Sequence, residues 1–571
     1  MPERIVIDPI TRIEGHLRIE LEADGGKISR AWACSTQFRG IEKILQGHDP
    51  RDAWAITQRI CGVCTGIHAI ASIRAVEDAL KYPIPHAAEL IRSLVVGMGT
   101  VQDHVIHFYH LHALDWVDVT SALKADPEKT ARLAGSISPW PNNSATRFRE
   151  VQQKIAKSIS GGQLSIFTNG YWGHPAYRLP PEANLMAVSH YLEALDWQRD
   201  VIKLQTIFGG KNPHPNFLVG GMACAINLEN QITLNEVSLA QIEGMIQRAK
   251  RFVEEVYYPD VMAIGGFYKE YANIGRSTPN LLAVGESGYS CSGMPAGTPA
   301  AGLLMGGDYS KVQTFDHLKI AEFVTSSWYT YPEGDKGGRH PWQGETNPRY
   351  TGPSLPYKQL SDGQKYTWTK APRYDGHPVQ VGPNARLMVA YAQKHQPVVE
   401  LAGKALKTLG LEVRHLNSTL GRTLCRCLES VLVSRQLIGQ FAELREAIRS
   451  GDTKTFNPDR WEKGSWPKSA QGVGFAEAAR GTLSHWVQIE NGKIVRYECV
   501  VPSTWNSSGR DSEGKQGPYE EALAGSGDHP LADSKRPLEV LRTIHSFDPC
   551  QSCAVHLLDA TGRPLEEVKV V

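Results

Sequence analysis

The chain has 571 residues, enough for one large domain or several, since length sets only a prior of ~100 to 200 residues per domain. Lysine plus arginine (61) almost balances aspartate plus glutamate (60), so there is neither a basic face for a phosphate backbone nor an acidic tail, and composition points away from nucleic acid as a partner. Ten cysteines are too sparse for a disulfide framework, and no uninterrupted apolar run reaches the ~18 residues of a membrane span.

The first sixteen residues, MPERIVIDPITRIEGH, carry neither an apolar leader nor a twin arginine, so the chain is expected not to direct its own export. Residues 16–22 alternate apolar and polar, Ala23-Asp24-Gly25-Gly26 reads as a turn, and a second apolar run spans Ile28 to Trp32, which predicts a hairpin. From Gln58 to Leu80 the residues Ile60, Val63, Ile67, Ile70, Ile73 and Val76 recur every three or four positions, predicting a helix with Cys61 and Cys64 on its first turn. Residues 86–124 read as one long helix, and 183–208, 236–257, 386–409 and 415–449 as others. Between about 325 and 382 the pattern gives way to Pro, Gly, Trp and Tyr, expected to form an ordered, irregular excursion because the aromatics need somewhere to pack. Near the end, Trp486–Ile489 and Ile494–Val501 flank Glu490-Asn491-Gly492-Lys493, where Asn-Gly favours a type I′ hairpin turn. The expected class is α+β, predominantly α-helical, with a long-helix bundle core and small peripheral hairpins and sheets.

Six cysteines (Cys34, Cys224, Cys291, Cys425, Cys427, Cys499) lie among aliphatic or small residues and read as buried small hydrophobes. The other four form two C-x-x-C pairs, Cys61/Cys64 and Cys550/Cys553, with Cys64 and Cys550 486 positions apart. Zinc knuckles usually place their halves ~15 to 20 residues apart, and a thioredoxin-like dithiol needs a strand-to-helix βαβ setting that neither pair has. Four soft thiolates suit nickel, iron or zinc, and ligand count alone does not choose among them. The run His104, His107, His110, His112 reads as packed, hydrogen-bonded histidines.

What surrounds the cysteines is more specific. Arg59-Ile60-Cys61-Gly62-Val63-Cys64-Thr65-Gly66-Ile67-His68 resembles the N-terminal signature of nickel-iron hydrogenase large subunits, and Asp548-Pro549-Cys550-Gln551-Ser552-Cys553-Ala554-Val555-His556 their C-terminal signature. Asp8-Pro9-Ile10-Thr11-Arg12-Ile13-Glu14-Gly15-His16, Phe38-Arg39-Gly40-Ile41-Glu42, Gly210-Lys211-Asn212-Pro213-His214-Pro215-Asn216 and Val501-Pro502-Ser503-Thr504-Trp505-Asn506 resemble further segments in family order. The likeness therefore covers essentially the whole chain, and the membrane-associated uptake branch is the most similar.

The resemblance implies that the N- and C-terminal segments converge on a buried site where all four sulfurs bind nickel. Cys61 and Cys550 would be terminal, and Cys64 and Cys553 would bridge to an iron carrying two cyanides and a carbon monoxide. His68 would support a ligand sulfur, Glu14 would take the proton from Cys550, Arg480 would stand above the metals oriented by Asp103 and Asp548, and Pro502 and Ser503 would contact the cyanides. Ala479 departs from the family, where proline is common. Glu42, the Cys499 carbonyl and His556 resemble the ligands of a magnesium ion, whose hard oxygen preference they suit. Residues 1–556 would be one domain and Leu557 to Val571 a maturation peptide, removed by an endopeptidase cutting after His556.

The implied activity is reversible heterolytic cleavage of dihydrogen. No cysteine grouping outside the four could hold an iron-sulfur cluster, so electrons must leave through another chain. This agrees with the family's iron-sulfur small subunit, in a heterodimer or a dimer of heterodimers. The resemblance further implies a membrane cytochrome or quinone-linked acceptor, and a peripheral position on the periplasmic side after export together with the partner, rather than in the cytoplasm. A hydrogen-sensing regulatory subunit remains the alternative, and the tail argues for the enzyme. A zinc-tied scaffold stays open to elemental analysis, and the related quinone-site subunit of respiratory complex I lacks the four cysteines.

Overall fold

The computed structural model describes residues 3–38, 40–162, 167, 170–285, 301–344, 346–354, 357–361 and 363–554. Cys291, Arg39, His556 and the 557–571 tail lie outside them. The fold is predominantly helical with small sheets. Among the described residues no helix is long and apolar enough to cross a membrane.

The N-terminal hairpin is present as Leu17–Asp24 and Lys27–Ser35, and Glu3–Ile7 adds a third antiparallel strand on the outer side of Leu17–Asp24. Its inward residues Ile5, Ile19, Leu21, Ile28 and Ala31 pack against Tyr519, Leu523, Val540, Leu541 and Ile544, so the first strands rest on helices from the last tenth of the chain. Burial of this shared apolar face is what draws the two ends together.

At the centre lies the helix Thr419–Arg449, against which His86–Ile106 packs most extensively. From Thr419 to Ser434 every residue is buried, on all sides of the helix, so its polar members must find partners inside the protein. Arg422 donates to Ser546 Oγ and the Gly275 carbonyl and stacks on Phe547, and Glu429 pairs with Arg386 and His104.

Several expected long helices are interrupted. The 86–124 prediction splits at Ile106 into a π-helical segment, His107–His112, and short 3-10 turns. The 236–257 prediction ends as a helix at Phe252 and passes into a second π segment, Val253–Tyr257. The 386–409 prediction is two helices, Pro383–Ala392 and Gln396–Leu409: Lys394 is left-handed (φ 60°), and Pro397 opens the second helix because it cannot continue the first. In the 325–382 excursion Trp328, Tyr329, Tyr331, Tyr366 and Trp368 do pack, forming one apolar cluster with Trp32 and Cys34.

Near the C-terminus the predicted hairpin is Gly481–Glu490 paired with Lys493–Val500, with Asn491 and Gly492 both at positive φ as a type I′ turn requires. Ser469–Ala478 completes a three-stranded sheet. The helix Ile67–Leu80 lies on it, presenting Ala71, Ala75 and Ala79, spaced by four, to Gly472 and Gly474. A Cβ at Gly474 would sit 2.0 Å from the Ala71 carbonyl oxygen, so only glycine allows this approach. Gly474→Ala is therefore expected to cost ~1–3 kcal/mol through overpacking. A lower Tm in thermal unfolding checks it, and an unchanged Tm would show that the helix and strand can separate freely.

Candidate metal centre

Cys61 and Cys64 precede the helix rather than occupying its first turn, which corrects the sequence reading. Gln58–Ile60 is a 3-10 turn, Cys61 is extended (φ −143°, ψ 136°), and the α-helix starts at Ile67. The cause is local: Cys61 Sγ accepts the backbone N–H groups of Val63 and Cys64, at 3.3 Å each, so the chain wraps around sulfur instead of entering the helical ladder. Those N–H groups still stabilise a thiolate.

The second pair follows the helix Leu538–Ser546. Asp548 takes a left-handed turn (φ 58°), and the N–H of Cys550 donates to Ser503 Oγ at 3.0 Å. Glu14 pairs with Cys550 as a single parallel bridge, the N–H of Gln551 donating to the Glu14 carbonyl at 2.8 Å. Gly15 permits this close approach, because at φ +78° its missing Cβ would lie 2.6 Å from the Ser552 nitrogen.

The four sulfurs meet. Cys61 Sγ lies 3.4 Å from Cys550 Sγ, Cys64 Sγ 3.5 Å from Cys553 Sγ, and Cys550 Sγ 2.9 Å from Cys553 Sγ. All four residues are buried. Two sulfurs each ~2.3 Å from one ion can be no more than ~4.6 Å apart, so these spacings suit shared metal ligation. Burial, reinforced by contact with the other sulfurs, pushes the Cys550 thiol well above its ordinary range, and burial does the same at Cys553. Four thiolates can coexist here only against a compensating cation, and soft sulfur donors select a thiophilic transition metal.

His68 is buried, with Nε2 3.3 Å from Cys553 Sγ and Nδ1 3.1 Å from His485 Nε2; it thus reaches a sulfur of the distant pair. His485 Nδ1 in turn meets the Tyr497 hydroxyl at 2.8 Å, which fixes the ring further. Glu14 Oε2 lies 3.2 Å from Cys550 Sγ and accepts the Ser552 N–H at 3.0 Å. Burial, with the Cys61 charge second, raises the Glu14 carboxyl above its ordinary range.

Arg480 stands over the cluster on the tight turn between Ala478 and Gly481. It donates from Nε to the Asp548 carbonyl and from Nη2 to Asp548 Oδ1, both at 3.0 Å, while Nη1 is 3.7 Å from Asp103 Oδ2. Burial, opposed by Arg480, pushes Asp103 up to about 8. The turn is clamped without proline: Arg386 donates to the Ala478 carbonyl at 2.9 Å and Arg426 to the Ala479 carbonyl at 3.1 Å. Pro502 and Ser503 line a small cavity of about 10 Å³ with Cys64, Arg480, Cys550 and Cys553. A second cavity, about 30 Å³, is lined by Val63, Cys64, Thr100, Asp103 and Ala479.

Glu42 is buried beside a cluster that the sequence did not reveal. Lys370 Nζ lies 2.9 Å from Glu322, 2.8 Å from Glu498 and 3.9 Å from Glu42, three carboxyls around one ammonium. Burial pushes Glu42 well above the carboxylate range and Glu322 up to about 7. Glu42 accepts the Cys499 N–H at 2.9 Å; His556 lies outside the described residues. The excess of acidic oxygens suits a hard divalent cation. No spacing pattern links Lys370, Glu322 and Glu498 in the sequence. The four histidines of the 104–112 run are hydrogen-bonded as expected, to Glu429, the His545 carbonyl, the Tyr191 carbonyl and Asp115.

Comparison with known proteins gives matches along essentially the whole chain. The family model described as Nickel-dependent hydrogenase matches residues 39–556, and one described as HoxL-like matches residues 4–38. The chain is 49% identical to the uptake hydrogenase large subunit of Bradyrhizobium diazoefficiens, over 100% of this chain and 97% of that protein. It is 44% identical to the hydrogenase-1 large chain of Escherichia coli, over 99% and 97% respectively. Among solved structures it resembles the Ni-Fe-Se hydrogenase of D. vulgaris Hildenborough, with 31% identity, a TM-score of 0.75, and coverage of 97% of this chain and 100% of that one.

Proposed function

The chain belongs to the nickel-dependent hydrogenases as a large subunit, and on that footing we propose that it cleaves dihydrogen reversibly and heterolytically at a nickel-iron pair held by Cys61, Cys64, Cys550 and Cys553. The observation that carries this reading is the meeting of four buried sulfurs from opposite ends of the chain. Pro502 and Ser503, which line the small cavity beside the sulfurs, would contact the cyanides of an iron that carries two cyanides and one carbon monoxide. When bound, the pair supplies Lewis acidity and redox capacity that polarise dihydrogen.

The remaining roles fall to the chain's own groups. Glu14 takes the proton at Oε2, the atom that faces Cys550 Sγ and is held by the Ser552 N–H. Its raised proton affinity brings it closer to that of a neutral-pH acceptor. Arg480 places a fixed positive charge over the sulfurs, held by Asp548 through two hydrogen bonds. The cavity beside Cys64 leaves space for a small apolar molecule. Arg480→Lys is expected to lower kcat on the order of 10²–10³-fold, because an ammonium cannot reproduce the two-point hold on Asp548. Hydrogen-dependent dye reduction at measured nickel and iron content checks this, and parental turnover in the variant would remove Arg480 from the mechanism.

Glu42, the Cys499 carbonyl and His556 are proposed to bind a magnesium ion, with the carboxyls around Lys370 in support. Residues 1–556 would form the mature subunit, an endopeptidase removing Leu557 to Val571. Among the described residues the other potential metal-ligand group is His112, Asp115 and His545, so electrons leave through an iron-sulfur small subunit. A membrane cytochrome or quinone-linked acceptor on the periplasmic side would receive them, the two subunits having been exported together. The uptake-type names of the relatives favour this reading over a hydrogen sensor. Reduction of a dye by dihydrogen in the purified two-subunit complex is the test: turnover is expected, and its absence at full nickel and iron loading would favour the sensor.

A further inference from the structure

Apart from the four-sulfur centre, His112, Asp115 and His545 form a tight cluster of titratable side chains, all fully buried. Asp115 is its hub. Arg12 donates to Oδ1, while His112 Nδ1 and His545 Nδ1 approach Oδ2 at 3.1 and 2.6 Å. The directions of the hydrogen bonds decide which ring is charged. At His112, Nε2 accepts the Trp116 indole N–H at 3.0 Å and faces the Thr423 hydroxyl, which can also donate, at 3.1 Å; an indole can only donate, so Nε2 is an acceptor and the single proton sits on Nδ1, facing Asp115.

His545 differs. Its Nδ1 faces the Asp115 carboxylate, and its Nε2 faces the Thr11 carbonyl oxygen at 2.8 Å. Neither partner has a proton to give. A neutral imidazole would aim one lone pair at another across a buried hydrogen-bond distance, and the cost of such a contact is high in a low dielectric.

We propose that His545 carries a proton on both ring nitrogens and, as an imidazolium bridging Asp115 to the Thr11 carbonyl, positions the loop that presents Glu14 to Cys550. Arg12 in that loop is left-handed (φ 57°), a conformation that persists only where its surroundings enforce it. Arg12 Nη1 donates to the Leu111 carbonyl at 2.7 Å, and His545 holds the preceding carbonyl. On the far side, the Gln551 N–H holds the Glu14 carbonyl. His545 is in the last turn of Leu538–Ser546, where unpaired carbonyls favour a cation. Other groups facing the cluster among the described residues include His107, whose Nε2 meets the His545 carbonyl at 2.6 Å, the Tyr171 and Tyr177 phenols near Asp115, and Arg542, which donates to the Asp115 carbonyl at 2.7 Å and spreads its charge over Trp116, Tyr268 and Tyr271. His545 is a positioning residue, and its role rests on reading Glu14 as the proton acceptor.

Neutron diffraction from deuterium-exchanged crystals of the metal-loaded two-subunit complex tests the charge without any substitution. Scattering density for deuterium on both His545 nitrogens is expected, and a bare Nδ1 or Nε2 overturns the proposal. Positioning is tested by His545→Phe in the same complex. Amide exchange of residues 8–16 is expected to accelerate ~10-fold or more as the loop loosens. Exchange between dihydrogen and solvent protons is expected to fall ~10-fold or more at parental nickel and iron content, since small misplacements of a catalytic group are costly. Unaltered protection of residues 8–16 overturns the positioning role. Normal isotope exchange in Glu14→Gln would instead remove the Glu14 reading and leave the His545 neutron result standing.

Discussion

Cys550→Ser is expected to abolish hydrogen turnover in the two-subunit complex and to leave nickel substoichiometric. The serine hydroxyl is hard and, at neutral pH, protonated, so it replaces a soft anionic donor with a neutral one. Cys550 is also the sulfur nearest to three others of the site's groups: Cys61 Sγ at 3.4 Å, Cys553 Sγ at 2.9 Å and Glu14 Oε2 at 3.2 Å. Its loss therefore removes a metal ligand and the start of the proton route together. Fold should survive, because the backbone N–H of Cys550 keeps its bond to Ser503 whatever the side chain. Nickel and iron determination beside a dye-reduction assay gives the answer. Parental activity at full loading would take Cys550 out of the centre.

Glu14→Gln has the next largest effect and a different signature. The amide keeps the shape and retains an oxygen for the Ser552 N–H, but it takes up no proton. Turnover and dihydrogen exchange with solvent protons are expected to fall ~10²–10⁴-fold, the usual span for loss of a positioned acid-base group. Metal content should match the parent. The sign of the pH dependence follows from burial, which raises the carboxyl's proton affinity. Below that raised value the parent's Glu14 is already protonated and cannot accept, so exchange declines as pH falls, from a higher pH than an ordinary carboxylate would give. The glutamine variant lacks that decline. Isotope exchange followed by mass spectrometry across pH decides it, and an identical profile in parent and variant would exclude the relay.

The parts legible in the sequence are those whose chemistry is local. Two C-x-x-C pairs announce sulfur ligation by residue type and spacing, and Asn491-Gly492 announces its hairpin because both residues tolerate positive φ. The placement of Cys61 and Cys64 on a helix failed for a local reason of another kind: the apolar period continues through the pair, yet the sulfur captures the N–H groups the helix needs. The strand Ser469–Ala478 was hidden because Gly472 and Gly474 are there for the helix packed on them, a demand that its own alternation does not express. Lys370, Glu322 and Glu498, or Arg386 and Arg426 beneath the Arg480 turn, come from distant stretches; only the folded chain makes them neighbours.

Proton transfer, electron exit and maturation all presuppose nickel at the four sulfurs. X-ray absorption at the nickel edge of the purified, hydrogen-reduced complex addresses that directly. A nickel shell dominated by sulfur, with an iron atom as the next heavy neighbour, is the predicted spectrum. Nickel surrounded by nitrogen and oxygen, or zinc standing alone at the cysteines, would contradict it.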